Sequence, residues 1–92
     1  MSYKSFGYAL EQLEDGECVT RACWPKGWFI YLVKGSTFQV NRKPLIDLIP
    51  EGTDIHYRGH IDLFMGHGNV MVWTPSQEDL LAHDYYIVDA AA

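Results

Sequence analysis

The stretch "DIHYRGHIDLFMGHGNVMVW", residues 54–73, decides the fold. Two apolar-rich legs, "HIDLFM" and "VMVW", flank the glycine-bearing turn "GHGN", a pattern that predicts a β-hairpin. The extended pattern already begins at Asp54. Working back toward the N-terminus, "FQV" predicts a strand with Phe38 and Val40 on one face, after a turn at "KGST". Pro44 and Pro50 punctuate "NRKPLIDLIPEGTDI", which reads as a loop with at most one helical turn. Further back, "WFIYLV" predicts a largely buried strand and "CVTR" a short one.

Helices bracket these strands. In "SFGYALEQLEDGE", Phe6, Ala9, Leu10 and Leu13 fall at i, i+3, i+4 and i+7, a single apolar helical stripe. Ser5 suits its N-cap and Gly16 its C′ position. After the hairpin, "TPSQEDLLAHD" opens a second helix. Thr74 with Gln77, or Ser76 with Asp79, supplies the capping box. "YYIVD" closes the chain as a last strand. Helix, strands, hairpin, helix and strand in that order predict one small α+β domain over residues 1–92, with a mostly antiparallel sheet and two helices.

Composition narrows the function. The chain has 92 residues and carries three Trp, six Tyr and four Phe. A domain of this size buries only about 60–65% of its unfolded surface, so one core is too small for thirteen rings. The surplus predicts a ligand pocket or a subunit interface. A net charge of −5 argues against a duplex nucleic-acid partner, which calls for a basic stripe. It still permits a small phosphorylated ligand held by one or two cations and backbone N–H groups. The opening "MSYKS" is no hydrophobic signal region, and no apolar run nears the ~20 residues of a membrane span. A cytoplasmic protein without membrane contact is expected, with Cys18 and Cys23 as buried, inert thiols.

Catalytic patterns are missing. His56 and His60 are four apart, but in extended chain that is roughly 13 Å, too far to chelate one ion. His67 sits at the hairpin tip and His83 near a helix end, so no metal site is expected. The chain has no G-x-S-x-G, Walker or Rossmann pattern. Asp79 and Asp84 are readable as paired carboxylates, or as a dipole-favoured acid and a solvated helix end. No enzyme activity, catalytic residue or cofactor is expected.

Recognition patterns are present. Trp24 lies at a Pro-Lys-Gly turn three residues after Arg21, and Trp73 precedes a capped helix start. An indole beside helix-start N–H groups can stack a base while the helix end attracts its phosphate. It can equally cap the core beneath the helix.

Four segments, "FGYALEQLEDGECVTRACW", "YLVKGSTFQVNRKPL", "PEGTDIHYRGHIDL" and "VWTPSQEDLLAHDYYIV", together resemble the Thoeris anti-defence 2 family of phage proteins. The match runs in order from about Phe6 to Val88. Two departures are visible: Val72 stands where the family commonly has proline, and Tyr85 and Tyr86 where it often has an indole. The resemblance implies compact α+β subunits assembled into homo-oligomers, tetramers among them, with pockets where protomers meet. It implies a sponge in the bacterial host cytosol that binds the cyclic ADP-ribose isomer made by TIR-domain enzymes, glycocyclic ADP-ribose, without cleaving it. Some relatives also take cyclic oligonucleotides; a sponge for cyclic di- or trinucleotides and an enzyme degrading such signals are the alternatives. By matching positions, Trp24 and Trp73 would wall adenine and ribose, with Phe6 on the same wall. Arg21 would meet phosphate, Asn41 a ribose hydroxyl or base edge, and Ser76 and Gln77 a phosphate at the helix start. Each has a structural alternative: Arg21 pairing with Asp79 or Asp84, Asn41 holding a turn, Ser76 acting only as a cap.

Overall fold

The helix predicted from the apolar stripe spans Phe6–Glu14 (α1) in the computed structural model, which describes residues 4–89. The Ser5 hydroxyl accepts the Tyr8 N–H at 3.4 Å. At the other end Gly16 takes φ +90°, Glu17 N–H reaches Gln12 C=O and Gly16 N–H reaches Leu13 C=O. That pair of bonds is a Schellman stop, and the left-handed residue within it favours glycine. Ala9 and Leu13 are fully buried, while Phe6 and Leu10 pack half-buried against the same core.

Six strands follow before the second helix: Val19–Arg21 (β1), Phe29–Val33 (β2), Ser36–Gln39 (β3), Asp54–Tyr57 (β4), His60–Phe64 (β5) and Val70–Val72 (β6). A helix at Gln77–Leu81 (α2) and a strand at Tyr85–Ile87 (β7) complete the described elements. Five strands form one antiparallel sheet in the order β6-β5-β2-β1-β7. The fold is therefore α+β with two helices and a mostly antiparallel sheet. The β5–β6 hairpin closes as its sequence predicts. Gly66, His67 and Gly68 are all left-handed there, and Met65 N–H bonds Asn69 C=O at 2.8 Å.

Register separates the two faces of this sheet. Ile30 pairs with both Val19 and Leu63, and these three join Ala9, Leu13 and Tyr85 in the core. Side chains alternate along a strand, so their neighbours point the other way. Phe29 opposite Phe64 and Tyr31 opposite Asp62 stand on the face away from the core, with the Phe29 and Phe64 rings stacked at 5.0 Å. The strand read as largely buried thus buries only Ile30 completely, because a single helical layer covers one face of the sheet.

β3 and β4 form a separate two-stranded sheet. The β2–β5 ladder ends at Val33↔His60 and the β3–β4 ladder begins at Ser36↔Tyr57, so one ribbon runs through both sheets with a break at Gly35 and Gly59. A Cβ on Gly35 would lie 2.5 Å from the Tyr57 carbonyl oxygen, and one on Gly59 3.2 Å from that of Val33. The two backbones cross too closely for side chains there. Beyond the crossing the ribbon projects as an arm, giving extents of 51 × 27 × 27 Å and a radius of gyration of 16.5 Å. A compact domain of this length would have about 12 Å; the compact shape implied by the resemblance is replaced by a body and an arm. Phe38 and Val40 do not share an environment as expected: Phe38 is exposed on β3, while Val40 lies beyond the strand and is buried. The Pro-punctuated loop holds one 3-10 turn at Leu45–Asp47, as its sequence predicts.

Candidate functional site

Arg21 faces Tyr85 across the β1–β7 ladder, on the helical side of the sheet. Its Nη1 donates to Asp79 Oδ1 at 2.7 Å and its Nε to Asp84 Oδ1 at 2.8 Å. The guanidinium carbon stands 5.9 Å from the Tyr85 ring centre. Of the two candidate capping boxes, Ser76 with Asp79 forms. Asp79 Oδ2 accepts the Ser76 N–H at 2.9 Å, and Ser76 Oγ accepts the Asp79 N–H at 3.1 Å. The Tyr85 hydroxyl donates to the Asp79 backbone carbonyl at 2.6 Å. Asp79 therefore pins the short α2 to β1 and β7 at once.

Charge follows this geometry. The hydrogen bond to Asp84 holds the Arg21 pKa above its ordinary value, against the opposing effect of burial. Burial pushes Asp79 upward, but hydrogen bonds from Ser76 and Arg21 outweigh it and hold the carboxyl below the usual range. Asp84 is likewise held low: burial opposes, and the Arg21 hydrogen bond and charge prevail. Burial, with Asp79 nearby, raises the Tyr85 phenol to about 12. Rather than solvated ends, the two carboxylates are counter-ions to one buried cation.

Fixing α2 also fixes Trp73 just before it. Trp73 meets Trp24 edge-on, with centres 5.9 Å apart and planes at 76°. Phe6 lies 6.1 Å from Trp73 and 5.9 Å from Tyr85. The rings of Phe6, Trp24 and Trp73, expected to share a ligand wall, thus meet within one chain, half-buried against the core; of the three, Trp24 also lines a recess. Trp24 is placed by the Pro-Lys-Gly turn that follows it. Its N–H bonds Arg21 C=O at 3.1 Å, Gly27 takes φ +92°, and Thr20 Oγ1 donates to Trp28 C=O at 2.7 Å. Beside it opens a recess of about 660 Å³, lined by Arg21, Trp24, Lys26, Trp28 and Tyr86 among others. That volume suits a small organic ligand. Trp28, Lys26 and Tyr86 are absent from the sequence-predicted set; the Trp-Pro-Lys-Gly-Trp turn is the signal that points to the first two.

The remaining candidates lie apart. Ser76 and Gln77 are exposed at the start of a five-residue helix, and the Ser76 hydroxyl and N–H are both taken by Asp79. Asn41 belongs to the arm, in a recess of about 440 Å³ with Phe38, Arg42, Lys43 and Tyr57. His56 is also in the arm, its Nδ1 3.1 Å from Thr37 Oγ1, whereas His60 Nε2 stands 3.2 Å from Asp62 in the body. Among the described residues, no group of three or more His, Cys, Asp or Glu could hold a metal ion, and no helix is long and apolar enough to cross a membrane. Cys18 is half-buried but Cys23 is exposed, correcting the expectation of two buried thiols: Cys23 sits in the loop after β1, outside the core.

No curated protein matches the chain. A family model, the Thoeris anti-defense 2-like domain, matches residues 4–88 and so spans every element described above. The resemblance read from the four sequence segments is thereby borne out, and the chain belongs to the Thoeris anti-defense 2-like family.

Proposed function

We propose that the protein sequesters a TIR-derived cyclic ADP-ribose isomer, glycocyclic ADP-ribose, as a non-catalytic homo-oligomeric sponge in the bacterial cytosol. The observation that carries this reading is Trp24, edge-on to Trp73 and lining a recess that also holds Trp28 and Lys26. Flat indoles suit an adenine, and a flexible ammonium suits a phosphate. Rings locked by packing lose little freedom on binding, and preorganisation of that kind strengthens affinity. Membership of an anti-defence family supports an immune signal as the ligand.

In this reading Trp24 and Trp73 wall the base and ribose, Phe6 backs Trp73, and Lys26 meets the diphosphate. Arg21 acts as a positioning residue through Asp79, since its Nε and Nη1 already serve two carboxylates; a direct phosphate contact falls to Nη2. Gln77 is free to reach a ligand polar group from the surface, and Asn41 serves a ligand only by way of the arm.

Calorimetric titration with glycocyclic ADP-ribose, followed by heat denaturation and chromatography of the released ligand, tests the proposal. Tight binding with intact ligand returned is expected. A cleaved product would identify a degrading enzyme instead, and binding confined to cyclic di- or trinucleotides would reassign the signal.

A further inference from the structure

The tip of the β5–β6 hairpin gathers three metal-ligating side chains that the site above does not use. Within "FMGHGNVM", residues 64–71, stand Met65, His67 and Met71. Register puts both methionines on one face. Met71 lies directly opposite Leu63, and Met65 follows Leu63 by two. The Met65 N–H to Asn69 C=O bond carries the ladder past the end of β5. Side chains alternate along a strand, so both methionines share the α1 side of the sheet with the core residue Leu63. Diagonal neighbours across an antiparallel pair are roughly 7–8 Å apart, within reach of long side chains.

This end of the face is open. Helix α1 packs on β1, β2 and β7 but not on β5 or β6. Met71 is 53% exposed and Met65 half-buried. His67 sits exposed at the tip between them, with φ +54°. A left-handed residue other than glycine is uncommon and points toward function when its side chain has chemistry to offer. Gly66 and Gly68 flank it, and a Cβ on either would meet nothing within 4 Å, so no neighbour crowds the turn.

Donor type selects the ion. Thioether sulfur is soft and favours Cu(I), and imidazole also binds copper. Zn(II) calls for thiolate, imidazole or carboxylate in a set of three or four, and hard cations call for oxygen. Asp62, the nearest acid along the hairpin, stands on the opposite face. Thioethers fall outside the His, Cys, Asp and Glu groupings that are absent among the described residues. We propose that Met65, His67 and Met71 form a three-coordinate Cu(I) site at the hairpin tip. Two diagonal thioethers hold the ion from the sheet, and the imidazole closes on it from the turn. The site is independent of the sequestration proposed above.

Free thiols would themselves capture Cu(I), so the full chain is titrated as its Cys18→Ser/Cys23→Ser form. Cu(I), kept reduced with ascorbate under nitrogen, competes there with a chromogenic chelator. One equivalent is expected to bind. Met65→Leu, Met71→Leu and His67→Asn are each expected to weaken binding at least tenfold, with an unchanged circular dichroism spectrum. Asparagine accepts left-handed backbone, so His67→Asn removes the donor without disturbing the turn. Methyl NMR of the wild type gives a second reading that survives poor folding of the serine form. Ag(I), a redox-inert stand-in, should move the Met65 and Met71 methyl signals, which capture by the thiols alone would leave in place. Absence of stoichiometric binding, donor variants that bind as tightly as their parent, methyl signals unmoved by Ag(I), or a preference for Zn(II) would overturn the proposal.

Discussion

Arg21 Nη1 and Asp79 Oδ1 lie 2.7 Å apart, joining β1 to a helix of only five residues. So short a helix is not stable on its own propensity; it stands because its first turn is tied to the sheet. The Arg21 and Asp79 side chains are 9% and 13% exposed, so the pair is largely withdrawn from water. Replacing Arg21 by Met leaves two carboxylates without their cation and is expected to cost about 3 kcal/mol, the lower end for a buried pair because Asp84 is partly solvated. Urea unfolding measures this; a loss under about 0.5 kcal/mol, typical of surface changes, would show that the pair is decorative.

Acid should release the same tie. Asp79 and Asp84 have folded pKa values below the ordinary 3.8, so their contribution is complete above that value and is lost as pH falls through the lowered folded values. Stability should therefore drop as pH falls below 3.8, and the Asp79→Asn/Asp84→Asn variant should show a flatter acid limb. At the alkaline end Tyr85, ordinarily near 10 and here about 12, contributes stability fully below pH 10 and loses it between those values. Tyr85→Phe should remove that alkaline limb. Unfolding midpoints across pH give both slopes.

Ligand binding should depend on Trp73 more than on any exposed polar candidate. Trp73→Ala is expected to weaken glycocyclic ADP-ribose binding by at least tenfold, in line with about 1–3 kcal/mol per stacked base, while leaving assembly intact. Gln77→Ala should change affinity less than threefold. Calorimetry that found Trp73→Ala unaffected would move the ligand elsewhere.

The Gly35 crossing should be intolerant of a side chain. Gly35→Ala puts a methyl 2.5 Å from a backbone oxygen, with no flexible side chain to give way. Amide exchange should quicken through β3 and β4 and stay slow in β1, β2 and β7. Uniform protection would show that the crossing relaxes at little cost.

The two thiols should react in order. Cys23 is exposed, whereas burial and the Glu17 charge raise the Cys18 pKa. Only the thiolate attacks a disulfide reagent. At pH 8 one equivalent of Ellman's reagent should be consumed quickly, and Cys23→Ser should abolish that fast phase.

Legibility in the sequence followed the range of the interactions. Helix α1, its Ser5 cap and its Gly16 stop were readable because periodicity, capping and left-handed backbone act over a few residues. The β5–β6 hairpin was readable for the same reason. The capping box of α2 was ambiguous because two overlapping pairs fit the local rule. Asp79 resolved it by also binding Arg21, 58 residues away. Trp24 and Trp73 were found from local context and Phe6 through the family resemblance, but their meeting is a consequence of chain-distant packing. Asn41 resembled its companions by motif alone, and the glycine crossing carries it into the arm.

The sequence by itself determined the element types, the α+β class, the family and the surplus of rings, since each follows from composition or from neighbours along the chain. Only the tertiary structure decided that Arg21 is held by two carboxylates, that Trp24 and Trp73 meet edge-on, and that the third and fourth strands leave the body. Those outcomes depend on which distant groups come within a few ångströms, where short-range forces act, and no local pattern encodes that distance.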